Sequence, residues 1–322
     1  RQMLSDVPVG AFLSAGLDSS SIVAAIASSG TRPLRTYTIS FPPSHAVGET
    51  TLDDTAVAAR TAEHFGWEHT DIRVEPDVVD LLPRLVWHLD EPIADPAIIT
   101  AYLVSRAARE TSTVLLSGVG GDELFAGYRK HVAHFVAAHY RRLPGPVRRT
   151  VEEAALALPS LRGTPLKGHV RLLKKMARSA SLPPLDRFLT DSTYISESLK
   201  RELYEDDIAG AVEGIDPWRT HRQWAARVED ADPLDQMLYL DAKTFMVSLN
   251  LAYNDKMSMA SSIEVRVPFL DVPFAEWVAR EVPPHLKLRG TTTKYLLRKA
   301  MAPVLPPEVL RQKKAGFGAP ID

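Results

Sequence analysis

Apolar runs and amphipathic stretches alternate through the first third of this chain. Short apolar-rich runs at 7–13, 35–41, 69–74 and 113–116 read as buried strands, because polar, Gly or Pro residues bound each of them. The stretches between them, at 19–27, 53–65, 77–89 and 97–109, carry apolar residues at helical spacing. This alternation predicts an α/β fold, a parallel twisted sheet flanked by helices. After about residue 128 the strand signal fades. Helical patterns broken by Pro144, Pro146, Pro159, Pro183 and Pro184 follow, predicting a mainly helical C-terminal extension. Repeats and low-complexity tracts are absent.

Composition narrows the class. The 322 residues are 45% hydrophobic and 24% charged with a net charge of −2, ordinary for a globular protein. No apolar run approaches the ~18 residues of a spanning helix, so no membrane association is expected. Cysteine is absent, which excludes disulfides, thiolate metal sites and a cysteine nucleophile on this chain and fits a cytoplasmic setting. Residues 129–178 are locally basic, opposed only by Glu152 and Glu153. A solvated helical face or a domain contact explains that run better than nucleic-acid binding. His131 and His134 lack further ligands nearby in sequence and read as surface residues rather than a metal site.

Chemistry concentrates where strands are predicted to end. After the first strand, Leu13 leads into Ser14-Ala15-Gly16-Leu17-Asp18-Ser19-Ser20 and then a helix. A small-residue turn at a helix start presents backbone N–H groups and partial positive charge to one spot, which suits a phosphate. Ser19 and Ser20 add hydroxyls. Asp18 repels phosphate unless a cation lies between, and carboxylate plus nucleotide phosphates is the usual environment of Mg²⁺. A solvated Ser/Gly turn is the plainer alternative.

The fourth strand runs into Ser117-Gly118-Val119-Gly120-Gly121-Asp122-Glu123. Asp122 and Glu123 are partly explained as acidic residues at a helix start. Three glycines directly after a strand cost stability without a purpose, so a ligand approaching the backbone is the better reading. Both Gly-containing turns fall at the carboxyl ends of strands, where parallel sheets bind ligands. A third segment, 254–271, is dense in charge beside apolar residues. For Arg266 and Asp271 a buried ion-pair network is the plain explanation.

The first turn resembles the pyrophosphate-binding loop S-G-G-x-D-S-S of ATP pyrophosphatases, with Ala15 at the first glycine. Six segments in order, at 13–20, 90–92, 116–128, 258–271, 294–298 and 311–317, resemble the synthetase domain of asparagine synthetases. The likeness spans essentially the whole chain. It implies an adenine nucleotide alpha hydrolase-like fold, with 1–128 as the nucleotide-binding core and 129–322 as a mainly helical part completing the site. It implies ATP-dependent adenylation of aspartate, release of pyrophosphate, and attack by ammonia to give asparagine.

By this resemblance Leu13 and Ile39 line an adenosine pocket, Ser117 and Gly118 touch the nucleotide, and residues Ser14 through Ser20 hold the pyrophosphate. Asp18 and Asp122 hold Mg²⁺, and Lys294 stabilises charge at the reacting centre. Val119 stands where asparagine-forming members carry Glu. Valine transfers no proton, so Glu123 or Glu264 substitutes, or the substrate differs. Relatives that close β-lactam or macrolactam rings use the same adenylation. A catalytically degenerate nucleotide-binding partner is the third reading. Family members begin with a glutaminase domain whose nucleophile is an N-terminal cysteine. Either this half, the source of glutamine-derived ammonia, is missing or ammonia comes from elsewhere, and the non-Met start at Arg1 favours the first expectation. A homodimer is compatible with the resemblance.

Overall fold

The computed structural model describes residues 1–31, 33–41, 54–74, 77–91, 93–159, 181–193 and 195–312, together with 170, 173, 174, 177 and 179. They divide into two compact units. The first comprises 1–125, 245–283 and the described residues from 294; the second comprises 126–244 and 284–293.

The first unit is built on a five-stranded sheet of order β3-β2-β1-β4-β5, with β1 Val9–Phe12, β2 Arg35–Ser40, β3 His69–Arg73, β4 Val114–Leu116 and β5 Glu264–Arg266. Every neighbouring pair is parallel. Helices α1 Leu17–Ser28, α2 Asp54–His64, α3 Val78–Leu89 and α4 Ala97–Ala108 alternate with the first four strands. These elements lie where the apolar pattern predicts them, with ends shifted by at most two residues.

Central strands covered on both faces read as continuous apolar runs; accordingly Ala11, Leu13, Leu115 and Leu116 are almost inaccessible. α4 is buried along nearly its whole length. It packs through Ile98, Ile99 and Tyr102 against Leu85 and Leu89 of α3 and against Tyr253 and Met257 of the later helix Ala252–Met259. From β1 the chain steps outward through β2 and β3, whereas β4 and β5 lie on the other side of β1. The order therefore reverses between β1 and β4, which leaves a crevice beyond their carboxyl ends.

The fifth strand corrects the reading of the third segment. Glu264 and Arg266 flank one apolar residue, so three residues carry no strand periodicity, and charge is usual on an edge strand. Arg266 is not part of a buried network with Asp271. It pairs with the half-exposed Glu264 at 2.7 Å. Its Nη1 donates to the carbonyls of Gln2 at 2.9 Å and Leu4 at 2.7 Å. Asp271 instead accepts from Gln2 Nε2 at 3.3 Å.

The second unit is mainly helical. One apolar cluster joins Phe188, Leu189, Ala225, Met237 and Leu240, and another joins Ala126, Leu234, Leu238 and Leu288. Arg129, Arg141, Arg142 and Arg149 of the basic run are exposed. The two histidines are not on the surface: His131 is 0% and His134 8% exposed. Asp241, 1% exposed, draws His131 inward. It accepts from His131 Nε2 at 3.0 Å and also pairs with Lys130.

Burial, helped by the nearby Arg187 and Arg141, lowers the His134 pKa to about 4. A histidine that charges less readily when folded favours unfolding in acid. Its contribution is complete above about pH 6.5 and is lost as pH falls toward about 4, a change of about 3 kcal/mol. Urea unfolding across this range is expected to show a falling midpoint that is flatter in His134→Gln. Equal slopes in the two proteins would remove His134 as the cause. Among the described residues no helix is long and apolar enough to cross a membrane.

Candidate functional site

The two Gly-containing turns meet at the crevice between β1 and β4. In the first, Gly16 has extended geometry just before α1 and no side chain caps the helix. The turn holds itself with its own serines. Ser14 Oγ accepts from Gly16 N at 3.1 Å and lies 3.0 Å from Ser19 Oγ, which also accepts from Ser14 N at 3.1 Å. Ala15 and Ser20 are fully buried, and Leu17 nearly so. Ser20 Oγ has no hydrogen-bond partner among the described residues.

The second turn packs directly on the first. A Cβ on Gly118 would lie 2.8 Å from Ser19 N, and one on Gly121 only 2.6 Å from Asp18 Cγ. Gly120 has φ +99°, and its Cβ would meet Leu270 of the third segment at 2.5 Å. The glycine run is therefore accounted for by contact between three distant segments. Ser117, 6% exposed, donates its backbone N–H to Arg266 O at 2.8 Å, stitching the turn to β5. Leu13 is buried below, its carbonyl accepting from Thr38 Oγ1. Ile39 is half-buried and packs against two core clusters.

At the centre stands Lys294. Its ammonium is 2.7 Å from Asp122 Oδ1 and is also bonded to Asp18 Oδ2. Lys294 is 6% exposed and precedes the helix Tyr295–Met301. Its backbone is left-handed, with φ 54°, a conformation that costs a non-Gly residue roughly 1–3 kcal/mol and marks functional positions. Its N–H donates to Phe125 O at 3.0 Å, anchoring the strained residue beside the Asp122 helix, α5 Gly121–Phe125. Burial alone would lower the lysine pKa, but Asp18 and Asp122 outweigh it and hold the group raised and charged. Its stabilising contribution is complete below the unfolded value of 10.5 and fades only above it.

Asp18 and Asp122 thus converge on one cation. Hard carboxylate oxygens suit Mg²⁺, whose remaining positions are normally filled by phosphate and water. Among the described residues no third carboxylate, His or Cys joins them. Glu123 follows Asp122 in the chain. It is 2% exposed and accepts from Asn250 Nδ2 at 2.8 Å. Asn250 lies in a π-helical turn, Met246–Leu251, and its own carbonyl accepts from Asn254 Nδ2 at 2.7 Å. Tyr253 is close by, its hydroxyl pKa raised by burial and by the charges of Asp95 and Glu123. Nothing in the local sequence marks Asn250. Glu264, the other carboxylate considered, pairs in register with Val114 at the amino end of β5 and is bonded to Arg266. It does not reach the carboxyl edge. Residues 313–317 of the last segment lie outside the described residues.

Fold and site together define a parallel α/β domain that gathers two carboxylates and a lysine at a topological switch point. Its relatives make the class specific. A protein-family profile described as asparagine synthase matches residues 1–322. The chain is 35% identical over 324 residues to glutamine-hydrolysing asparagine synthetase 1 of Bacillus subtilis (strain 168), covering 99% of this chain and 47% of that protein. It is 29% identical to the asparagine synthetase 3 of the same strain, covering 98% of this chain and 46% of that one. It is 27% identical to amidase chyE of Penicillium rubens, covering 99% and 50%. This chain belongs to the asparagine synthase family, and it spans about half the length of the curated relatives it matches.

Proposed function

We propose that this chain is the ATP-dependent, amide-forming portion of a larger glutamine-hydrolysing protein. It adenylates the side-chain carboxylate of aspartate, releases pyrophosphate, and passes the acyl group to ammonia to give asparagine. The observation that carries this reading is the Asp18–Lys294–Asp122 cluster in the β1/β4 crevice. The backbone N–H groups before α1 would receive the pyrophosphate, and Ser117 and Gly118 would flank the nucleotide. Asp18 and Asp122 would hold Mg²⁺, which when bound offsets phosphate charge. Lys294 supplies a fixed, water-shielded positive charge where negative charge develops. Positioning supplies much of the rest of the rate.

Val119 leaves the turn without a carboxylate. Of the two substitutes, Glu123 is next to Asp122 and buried, while Glu264 is at the opposite end of its strand. Glu123 is therefore assigned any proton transfer. Val119 also favours a second reading, ring closure within one substrate by the same adenylation, with cytoplasmic small-molecule substrates in either case.

Pyrophosphate release from ATP and Mg²⁺, with aspartate and ammonium added or omitted, separates these readings, with products read by mass spectrometry. Aspartate-dependent release with asparagine formed is expected, and Asp18→Asn is expected to lower it at least about 100-fold. Nucleotide binding without aspartate-dependent release would point to a different carboxylate substrate, as ring closure requires, or to a missing glutaminase half. Turnover unchanged in Asp18→Asn would sink the metal assignment.

A further inference from the structure

Two contacts join the third segment to the second turn. One is the close approach of Leu270 to Gly120. The other is the bond from the Ser117 N–H to the carbonyl of Arg266 at 2.8 Å. Arg266 is the last residue of β5, an edge strand of three residues that pairs on one side only. A carbonyl fixes a turn only as firmly as it is itself fixed, and strand ends at a sheet edge are among the first places to open.

The side chain of the same residue supplies the missing constraint. Nε and Nη2 of Arg266 donate to the two oxygens of Glu264 at 2.7 and 3.4 Å. Nη1 donates to the carbonyls of Gln2 at 2.9 Å and Leu4 at 2.7 Å. Those carbonyls belong to one turn, closed by the Leu4 N–H donating to Arg1 O at 2.9 Å. Gln2 is held a second time, by Asp271. A guanidinium serves both sets of partners at once in one plane, which an ammonium cannot do. Leu4 is 78% exposed and Glu264 half-exposed, so water can replace these bonds and the fold as a whole gains little from them. Their effect falls on what Arg266 carries. We infer that Arg266 is a positioning residue for the nucleotide: by gripping the 1–4 turn and Glu264, it fixes the carbonyl that holds Ser117, and so sets where Ser117 and Gly118 meet the ligand. The inference rests on the ligase reading above for the identity of that ligand, ATP. Asp18, Asp122 and Lys294 are not among the partners of the Arg266 side chain, so the loss belongs in binding rather than in the chemical step.

ATP binding by calorimetry, pyrophosphate release and amide hydrogen exchange of the ligand-free protein test this, at a temperature where every variant is folded. Arg266→Gln is expected to weaken ATP about tenfold, seen in Kd and in KM for ATP with kcat little changed. Exchange at 117–121 should quicken about tenfold, with β2 and β3 exchanging as before. Arg266→Lys should recover part of both losses, since a point charge reaches the two carbonyls without bridging them to Glu264. Leu4→Ala keeps its carbonyl and should match the wild type. If Arg266→Gln does not fold, Arg266→Lys is expected to show the same changes in smaller measure, and a Lys variant equal to the wild type would then overturn the inference. Unchanged ATP affinity in Arg266→Gln, unchanged exchange at 117–121, or a Lys variant no better than Gln would each overturn it as well. Faster exchange at 117–121 in a protein whose wild type binds no ATP would overturn the ligase reading and leave the anchoring of the turn standing.

Discussion

Lys294→Met is expected to lose both stability and turnover, and to recover part of the stability in Mg²⁺. The substitution keeps the length of the side chain and most of its apolar stem. It removes the ammonium that lies between Asp18 and Asp122. Two largely buried carboxylates then face each other, and breaking a buried pair from one side commonly costs about 3 kcal/mol or more. Acid, which neutralises carboxylates, should narrow the gap between variant and wild type. A divalent cation should narrow it too, because the vacated position offers two hard oxygen ligands. Pyrophosphate release should fall about 100- to 1000-fold, as when a fixed charge at a reacting centre is lost. Denaturant unfolding at several Mg²⁺ concentrations, run beside the turnover assay, checks each part. A variant as stable as the wild type, with no greater response to Mg²⁺, would dissolve the three-residue cluster as a unit.

Gly121→Ala adds one carbon and is expected to do damage out of proportion to its size. The new Cβ would stand 2.6 Å from Asp18 Cγ and 2.7 Å from its Oδ1. Asp18 is short and already held by Lys294, so it has little room to yield except by leaving the lysine. Overpacking of this kind costs about 1–3 kcal/mol, and displacement of a positioned group by an ångström can cost about 100-fold in rate. Gly145→Ala is the matched control, since nothing lies within 4 Å of a Cβ there. It opens the helix Gly145–Ala157 and is expected to be neutral or slightly stabilising. Similar activity in the two variants would show that the close approach of the turns is not needed for turnover.

The parts of this molecule that were legible in the sequence are those whose cause is local. β1 through β4 and their helices follow from apolar runs punctuated by turn residues. Asp18 and Asp122 stood out because an acid beside a glycine turn at a strand end has few structural reasons to be there. Lys294 had no such signal: a lysine before a helix is ordinary, and only the family resemblance selected it. What makes it distinctive is a left-handed backbone and two partners far away in the chain. β5 was hidden by its brevity and its charged ends. Asn250 was hidden because a π-helical turn has no residue signature of its own. His131 was misplaced because its burial is set by Asp241, 110 residues further along the chain. The purpose of Gly120 likewise lies in Leu270, not in its own turn.

The spacing of the central cluster has a consequence for how the protein is made. Asp18 and its lysine are 276 residues apart. At synthesis rates of about 5–20 residues per second, the first carboxylate leaves the ribosome's active centre roughly 14–55 seconds before the lysine is added. Throughout that interval Asp18 and then Asp122 exist in the nascent chain without the ammonium that joins them. β1 to β4 can pair, but the acidic edge stays internally repulsive, and β5 arrives only shortly before the lysine. Translation therefore sets a clock on competence: the chain acquires its charge-balanced edge only once Lys294 has been added.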